Sequence, residues 1–193
     1  MTWGHAVRMP LLVLVLGWAG LAGAQPITVA GLQRLLQDAP KRELRFHETR
    51  ESPWLAVSVE SSGSLKSSAT MLEKRVEHPR RETWRIFGDR MQLTAPGSTD
   101  VKQFMFSQAP AVAVLANALR HVMAGDLQAL ENDFGLAPGG DERLWTLQLT
   151  PRRPDIARFL KQLELQGTGA HLQVIVILES QRDRTTTRLV YGP

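Results

Sequence analysis

The stretch PAVAVLANALRHVMAGD, Pro110 to Asp126, constrains the fold of this chain most. Val112, Leu115, Leu119 and Val122 recur at spacings of three and four, the period of a helix. Ala111, Val114, Ala118 and Met123 widen the stripe, and only Asn117, Arg120 and His121 interrupt it. A surface helix carries one apolar face; this one needs cover on more than one side. Yet the sequence before and after it has the period of strands. The chain must therefore build a sheet around a single greasy helix.

The strand signals fall into two blocks. A short helix opens the first, in PITVAGLQRLLQDAP, with Val29, Leu32, Leu35 and Leu36 as its stripe, Thr28 placed to cap it and Pro40 to stop it. Then Leu44 and Phe46 alternate with polar neighbours, as do Leu55, Val57 and Val59 running through Gly63 to Leu65. Leu72, Lys74 and Val76 share one side of the next segment, and RETWRIFGDRMQLT reads as a hairpin turning at Gly88-Asp89. Phe104 and Phe106 lead into the apolar helix, with Ser107 placed to cap its start and Gly125 its end. Asp126 would cap a second helix, LQALENDFGL, and APGGDE would be a turn. The second block holds RLWTLQLTP, a short helical turn in RRPDIARFL, the apolar run HLQVIVILE read as a central strand covered on both sides, and RTTTRLVYG. About nine antiparallel strands result, enough for the sheet to curl. With the helix across its concave face, such a sheet encloses an apolar cavity.

Residues 1–24 have the layout of a cleavable signal peptide: Arg8, an apolar run from Pro10 to Gly23 too short to span a bilayer, and Ala22-Gly23-Ala24 at the cleavage site. Residues 25–193 then form one domain, with 22 basic against 19 acidic residues, +3. The charges alternate in sign, as in LEKRVEHPRRETWR, which reads as a solvated strand surface and argues against nucleic acid as a partner. Cysteine is absent, so the core must supply stability without disulfides.

No constellation for covalent chemistry stands out. His47, His78, His121 and His171 lack ligand spacing, and no metal site or cofactor is expected. No serine sits in G-x-S-x-G and no glycine loop suits phosphate. The carboxylate pairs Glu48/Glu51 and Glu131/Asp133 leave room for a hydrolase as the minor reading. A sensor or protein-interaction module on the same scaffold is the other alternative.

The order of elements resembles the LolA-like superfamily, carriers of lipoproteins and related lipidic cargo, and within it the proteins that accompany acyl-chain and aryl-polyene biosynthesis. The resemblance rests on the opening helix leading into FHETRES, on GSL, on LEKRVEHPRRETWRIFGDRMQL, on LANALRHVMAGDLQALENDF followed by WTLQLTP, and on LQGTG with the apolar strand beyond it. It implies a mainly β fold: an open, curled antiparallel half-barrel plugged by lid helices over a hydrophobic cavity. It also implies a periplasmic, non-enzymatic carrier, a monomer, exchanging a lipid or acyl-chain cargo with membrane-associated donor and acceptor proteins. Lipoprotein carriers proper have an Arg-Pro pair before the third strand, where this chain has KSSATM. The expected cargo is therefore an acylated or polyene lipid before a lipoprotein. The expected lid residues are Val112, Val114, Leu115, Ala118, Leu119 and Val122. The expected sheet lining is Phe46, Trp54, Leu72, Trp84, Ile86, Trp145, Leu147, Leu149, Val174 and Val176.

Overall fold

The computed structural model describes residues 25–39, 43–68, 70–98 and 100–191; the expected signal peptide and Pro40 lie outside the described residues. Helix α1 (Val29–Gln37) starts where Thr28, in extended backbone, accepts a hydrogen bond from the Gly31 amide at 3.0 Å. It buries Leu32 and Leu36. Six strands follow: β1 (Leu44–Glu51), β2 (Val59–Ser67), β3 (Leu72–His78), β4 (Glu82–Ile86), β5 (Arg90–Thr94) and β6 (Val101–Met105). After α2 (Pro110–Ala124) come β7 (Phe134–Gly140), β8 (Trp145–Pro151), the short α3 (Pro154–Ala157), β9 (Leu160–Thr168), β10 (His171–Glu179) and β11 (Arg184–Val190).

All eleven strands join one antiparallel sheet in the order β6-β5-β4-β3-β2-β1-β11-β10-β9-β8-β7. The first and last strands, β1 and β11, meet in the middle, and the sheet is not closed. Its two edges are β6 and β7, and α2 is the piece of chain that links them. Topology alone therefore sends the apolar helix across the open side of the curl.

Period-two alternation sets which face is inside. Phe46 stands opposite Leu189 and Gly63; Leu147 opposite Leu165; Leu149 opposite Leu163 and Leu136. These side chains join Leu32 and Leu36 of α1 in one hydrophobic core. Trp145 is fully buried there and its Nε1–H donates to the Gly169 carbonyl at 2.8 Å. Gly167 faces it across the strand pair, and a Cβ at Gly167 would collide with the indole. The fold thus spends a glycine to seat a tryptophan.

Four local expectations are corrected. Ser107 lies inside a 3-10 turn, Phe106–Gln108, and α2 starts at Pro110 after Ala109 without a side-chain cap; proline at the first helical position makes the cap less necessary. Gly125 does close α2, in the left-handed conformation with φ 72°. LQALENDFGL is only a 3-10 turn, Gln128–Leu130, running into β7, and most of APGGDE belongs to that strand. Pro138 is tolerated in β7 because β7 is an edge strand and needs no donor at every position. Finally, β10 packs into the core by its concave side, and its other face is covered in part: Val176 is buried among its strand neighbours while Val174 is half-buried. A bulge between Leu172 and Val174 shifts its parity, so Leu172, Ile175 and Ile177 face the core. Val174 and Val176 share the other face with Gln166, Glu164, Arg188 and Thr186.

Candidate functional site

Under α2 the curl is only partly filled. A cavity of about 260 Å³ remains, its apolar walls formed by Leu65, Leu72 and Ile86 from one side of the sheet, Ile175 and Ile177 from the other, and Leu115, Leu119 and Met123 from the helix. The three helix residues recur every four positions and form one ridge along α2. A second ridge, Ala118 with Val122, is buried against the rest of the core. This division explains why the helix is apolar over so much of its circumference: one side seats it and the adjacent side roofs the cavity. A larger cleft, about 560 Å³, lies at the rim between the β3–β4 turn and the β5–β6 loop, but Arg75, Glu77, Arg81 and Glu82 make its walls charged and unsuited to apolar cargo.

One wall of the cavity under α2 is polar. Glu48, Arg50, Lys74, Glu179, Thr185 and Thr187 line it. Glu48 accepts from Lys74 Nζ at 2.7 and 2.8 Å, from Thr187 Oγ1 at 2.8 Å and from Ser61 Oγ at 3.3 Å. Burial pushes the Glu48 carboxyl up, but the Lys74 charge and these hydrogen bonds together outweigh it and hold the group below the ordinary carboxylate value. Lys74 Nζ also stands 4.9 Å from the centre of the Phe46 ring. Nearer the strand ends, Arg50 pairs with Asp183 at 2.8 Å and lies 3.6 Å from Glu179. The site is therefore amphipathic: hydrocarbon under the helix and a paired, hydrogen-bonded stripe leading to the rim.

The sequence-predicted residues distribute as follows. Leu115, Leu119, Leu72 and Ile86 line the cavity. Phe46, Trp145, Leu147 and Leu149 lie on the same sheet face but are packed solid in the core, as are Ala118 and Val122 from the helix. Val114 and Trp84 are partly buried against that core. Trp54 is displaced: it sits in the β1–β2 connection, 81% exposed, because strand pairing resumes only at Val59. Val112 is 43% exposed near the start of α2. Val174 and Val176 are on the outer face, for the reason given above. Sequence reasoning missed Leu65, Met123, Ile175, Ile177 and the polar stripe. Lys74 carried a signal, since its spacing placed it on the same side as Leu72 and Val76.

The carboxylate pairs do not form reacting dyads. Glu48 and Glu51 are an odd number of residues apart on one strand and point to opposite faces. Asp133 pairs with Arg153, and Glu131 is exposed. His121 contacts Asp126 at 3.0 Å and Arg120 at 2.8 Å near the end of α2. Among the described residues no group of three His, Cys, Asp or Glu could hold a metal ion, and no helix is long and apolar enough to cross a membrane.

Residues 22–192 match the family described as "Outer membrane lipoprotein carrier protein LolA-like". No curated protein matches the chain. Among solved structures, the chain is similar to a LolA superfamily protein from Nitrosomonas europaea, at 10% identity and a TM-score of 0.43, covering 86% of this chain and 95% of that one. A DUF1329-family protein from Desulfovibrio piger is similar at 7% identity and a TM-score of 0.44, covering 85% and 90% respectively.

Proposed function

The chain belongs to the family of LolA-like outer membrane lipoprotein carrier proteins, and on that premise we propose that it is a periplasmic, non-enzymatic carrier of an acylated or polyene lipid, exported by cleavage after residue 24 and working as a single domain. The observation that carries this reading is the cavity under α2, with Leu115, Leu119 and Met123 facing the hydrocarbon residues of the sheet. Its volume lies just below the roughly 300–1,000 Å³ of small-molecule sites. A long chain therefore enters by displacing the helix ridge.

The energies suit loading and release. About 12 methylenes moved out of water give roughly 10 kcal/mol. Lifting three partly buried side chains of α2 returns roughly 5 kcal/mol of that. The polar stripe gives cargo a direction: the chain lies under α2 and a polar head lies toward Arg50 and Thr185, at the strand ends. Lys74 and Glu48 neutralise each other, so the head faces hydrogen-bonding groups without a bare charge at mid-cavity.

Native mass spectrometry of the protein purified gently from its own periplasm, followed by lipid extraction, tests the reading. Near one acyl or polyene lipid per chain is expected, and Leu115→Glu should lose it while the far-ultraviolet spectrum of the sheet is kept. Protein that emerges empty and also fails to bind a fluorescent acyl probe would favour an interaction module instead.

A further inference from the structure

The β1–β2 connection is the most apolar exposed segment of the described chain. Within six residues, Trp54 is 81%, Leu55 43%, Val57 78% and Val59 46% exposed. The chain does not fold them away. Leu55 is held by its amide donating to the Ser52 carbonyl at 3.1 Å, which makes a turn that carries the tryptophan outward. A soluble surface tolerates scattered apolar residues, but a contiguous group at the tip of a hairpin marks a contact site.

The surroundings say what it contacts. The antiparallel register brings the β3–β4 turn, the β10–β11 turn and the start of β9 to the same end of the sheet as this loop. Those segments carry Arg80, Arg81, Arg158, Arg182 and Arg184, all exposed and none in an ion pair among the described residues. Glu51 and Glu60 flank the loop itself, so the five arginines outnumber the nearest exposed acids. A tryptophan-led apolar tip with guanidinium groups on the turns to either side of it matches the two layers of a bilayer surface, hydrocarbon below and anionic headgroups above.

The position matters as well. The polar wall of the cavity ends at Arg50 and Glu179, beside this loop, with Arg50 only four residues before Trp54. Cargo whose head lies at that end leaves or enters next to the tip. We propose that the β1–β2 loop docks the protein reversibly on an anionic phospholipid bilayer, with Trp54 and Val57 entering the interface and the arginine rim holding headgroups, so that the mouth of the cavity opens at the membrane surface.

Co-sedimentation of the periplasmically purified protein with vesicles tests this, using phosphatidylcholine alone and phosphatidylcholine with about one-third phosphatidylglycerol. Binding to the anionic vesicles should be about tenfold stronger and should weaken as salt is added. Trp54→Ser with Val57→Ser should lower it by about tenfold, and the blue shift of tryptophan emission on vesicle addition should disappear. Arg81→Glu with Arg182→Glu should abolish the preference for phosphatidylglycerol. Both double variants alter exposed side chains, and an acyl-probe titration should show the cavity unchanged in each. No binding to anionic vesicles, equal binding to both vesicle types, or full binding by the Trp54/Val57 variant would overturn the proposal. Loss of acyl-probe binding in the wild type with vesicle docking intact would instead count against the carrier function alone.

Discussion

The two wings of the sheet are built from similar residues but packed differently. On the β7–β9 side, Trp145, Leu147, Leu149, Leu163 and Leu165 are all fully buried, and Phe134 nearly so. On the β4–β6 side, Ile86 is the one buried residue among the described positions of three strands, while Val101 and Phe104 are 50% and 41% exposed. Trp84 and Phe104 approach with ring centres 6.3 Å apart but leave their edges to solvent. The first wing is a finished core. The second is a half-covered surface that borders the space under α2 through Ile86. Binding sites are drawn from the less stable parts of a structure, because they must rearrange. The contrast supports the β4–β6 wing as the wall that adapts to cargo.

Three experiments break or sharpen this contrast. The largest effect is expected in the finished wing: Leu147→Ala should lower the unfolding free energy by about 3 kcal/mol, against under about 1 kcal/mol for Met91→Ala in the open wing. Equal losses in urea titrations would erase the distinction. Next is the ion pair between the wings. Lys74→Met leaves the Glu48 carboxylate without its cation and should cost about 2 kcal/mol near neutral pH. The sign with pH follows from Glu48, whose pKa is held below the ordinary 4.5. Its stabilising contribution is complete above that value and is lost as pH falls through the folded value. Urea titrations over acid pH should therefore show the wild type weakening and Glu48→Gln weakening less. The smallest effect is kinetic: amides of β4 to β6 should exchange faster than those of β8 and β9, and bound acyl chain should slow the first group selectively.

Much of this architecture was legible in period two. Leu72, Ile86, Trp145, Leu147 and Leu149 fall on the concave face as their alternation implies, because each lies in a strand without a register break before it. β10 was misread by one position, since the bulge after Leu172 is set by pairing with β9 and leaves no composition signal. Trp54 was misread for a related reason: it stands beside Leu55, Val57 and Val59, whose alternation looks like a strand, but the pairing partner, β1, ends at Glu51. Local pattern reports a preference for extended backbone, and hydrogen bonding to a neighbour decides whether a strand exists. The helix pattern located both the roofing ridge and the buried ridge. It could not separate them, because that depends on how α2 is rotated over the sheet. The polar stripe was only half legible: spacing put Lys74 on the side of Leu72 and Val76, but its partner Glu48 is distant in sequence and, read alone, resembles a surface charge.

The route of α2 between β6 and β7 has a mechanical consequence. A lid hinged at one end swings away and leaves its frame unchanged. This helix, about 22 Å long, is anchored at both ends to opposite margins of the same sheet, like a clasp across a bracelet. It cannot lift far without drawing on the margins, and the margins cannot spread without tensioning it. Cargo thickness should thus be transmitted into the separation of β6 from β7, which makes the unclosed sheet a gauge of its own occupancy that labels on the two edge strands would read directly.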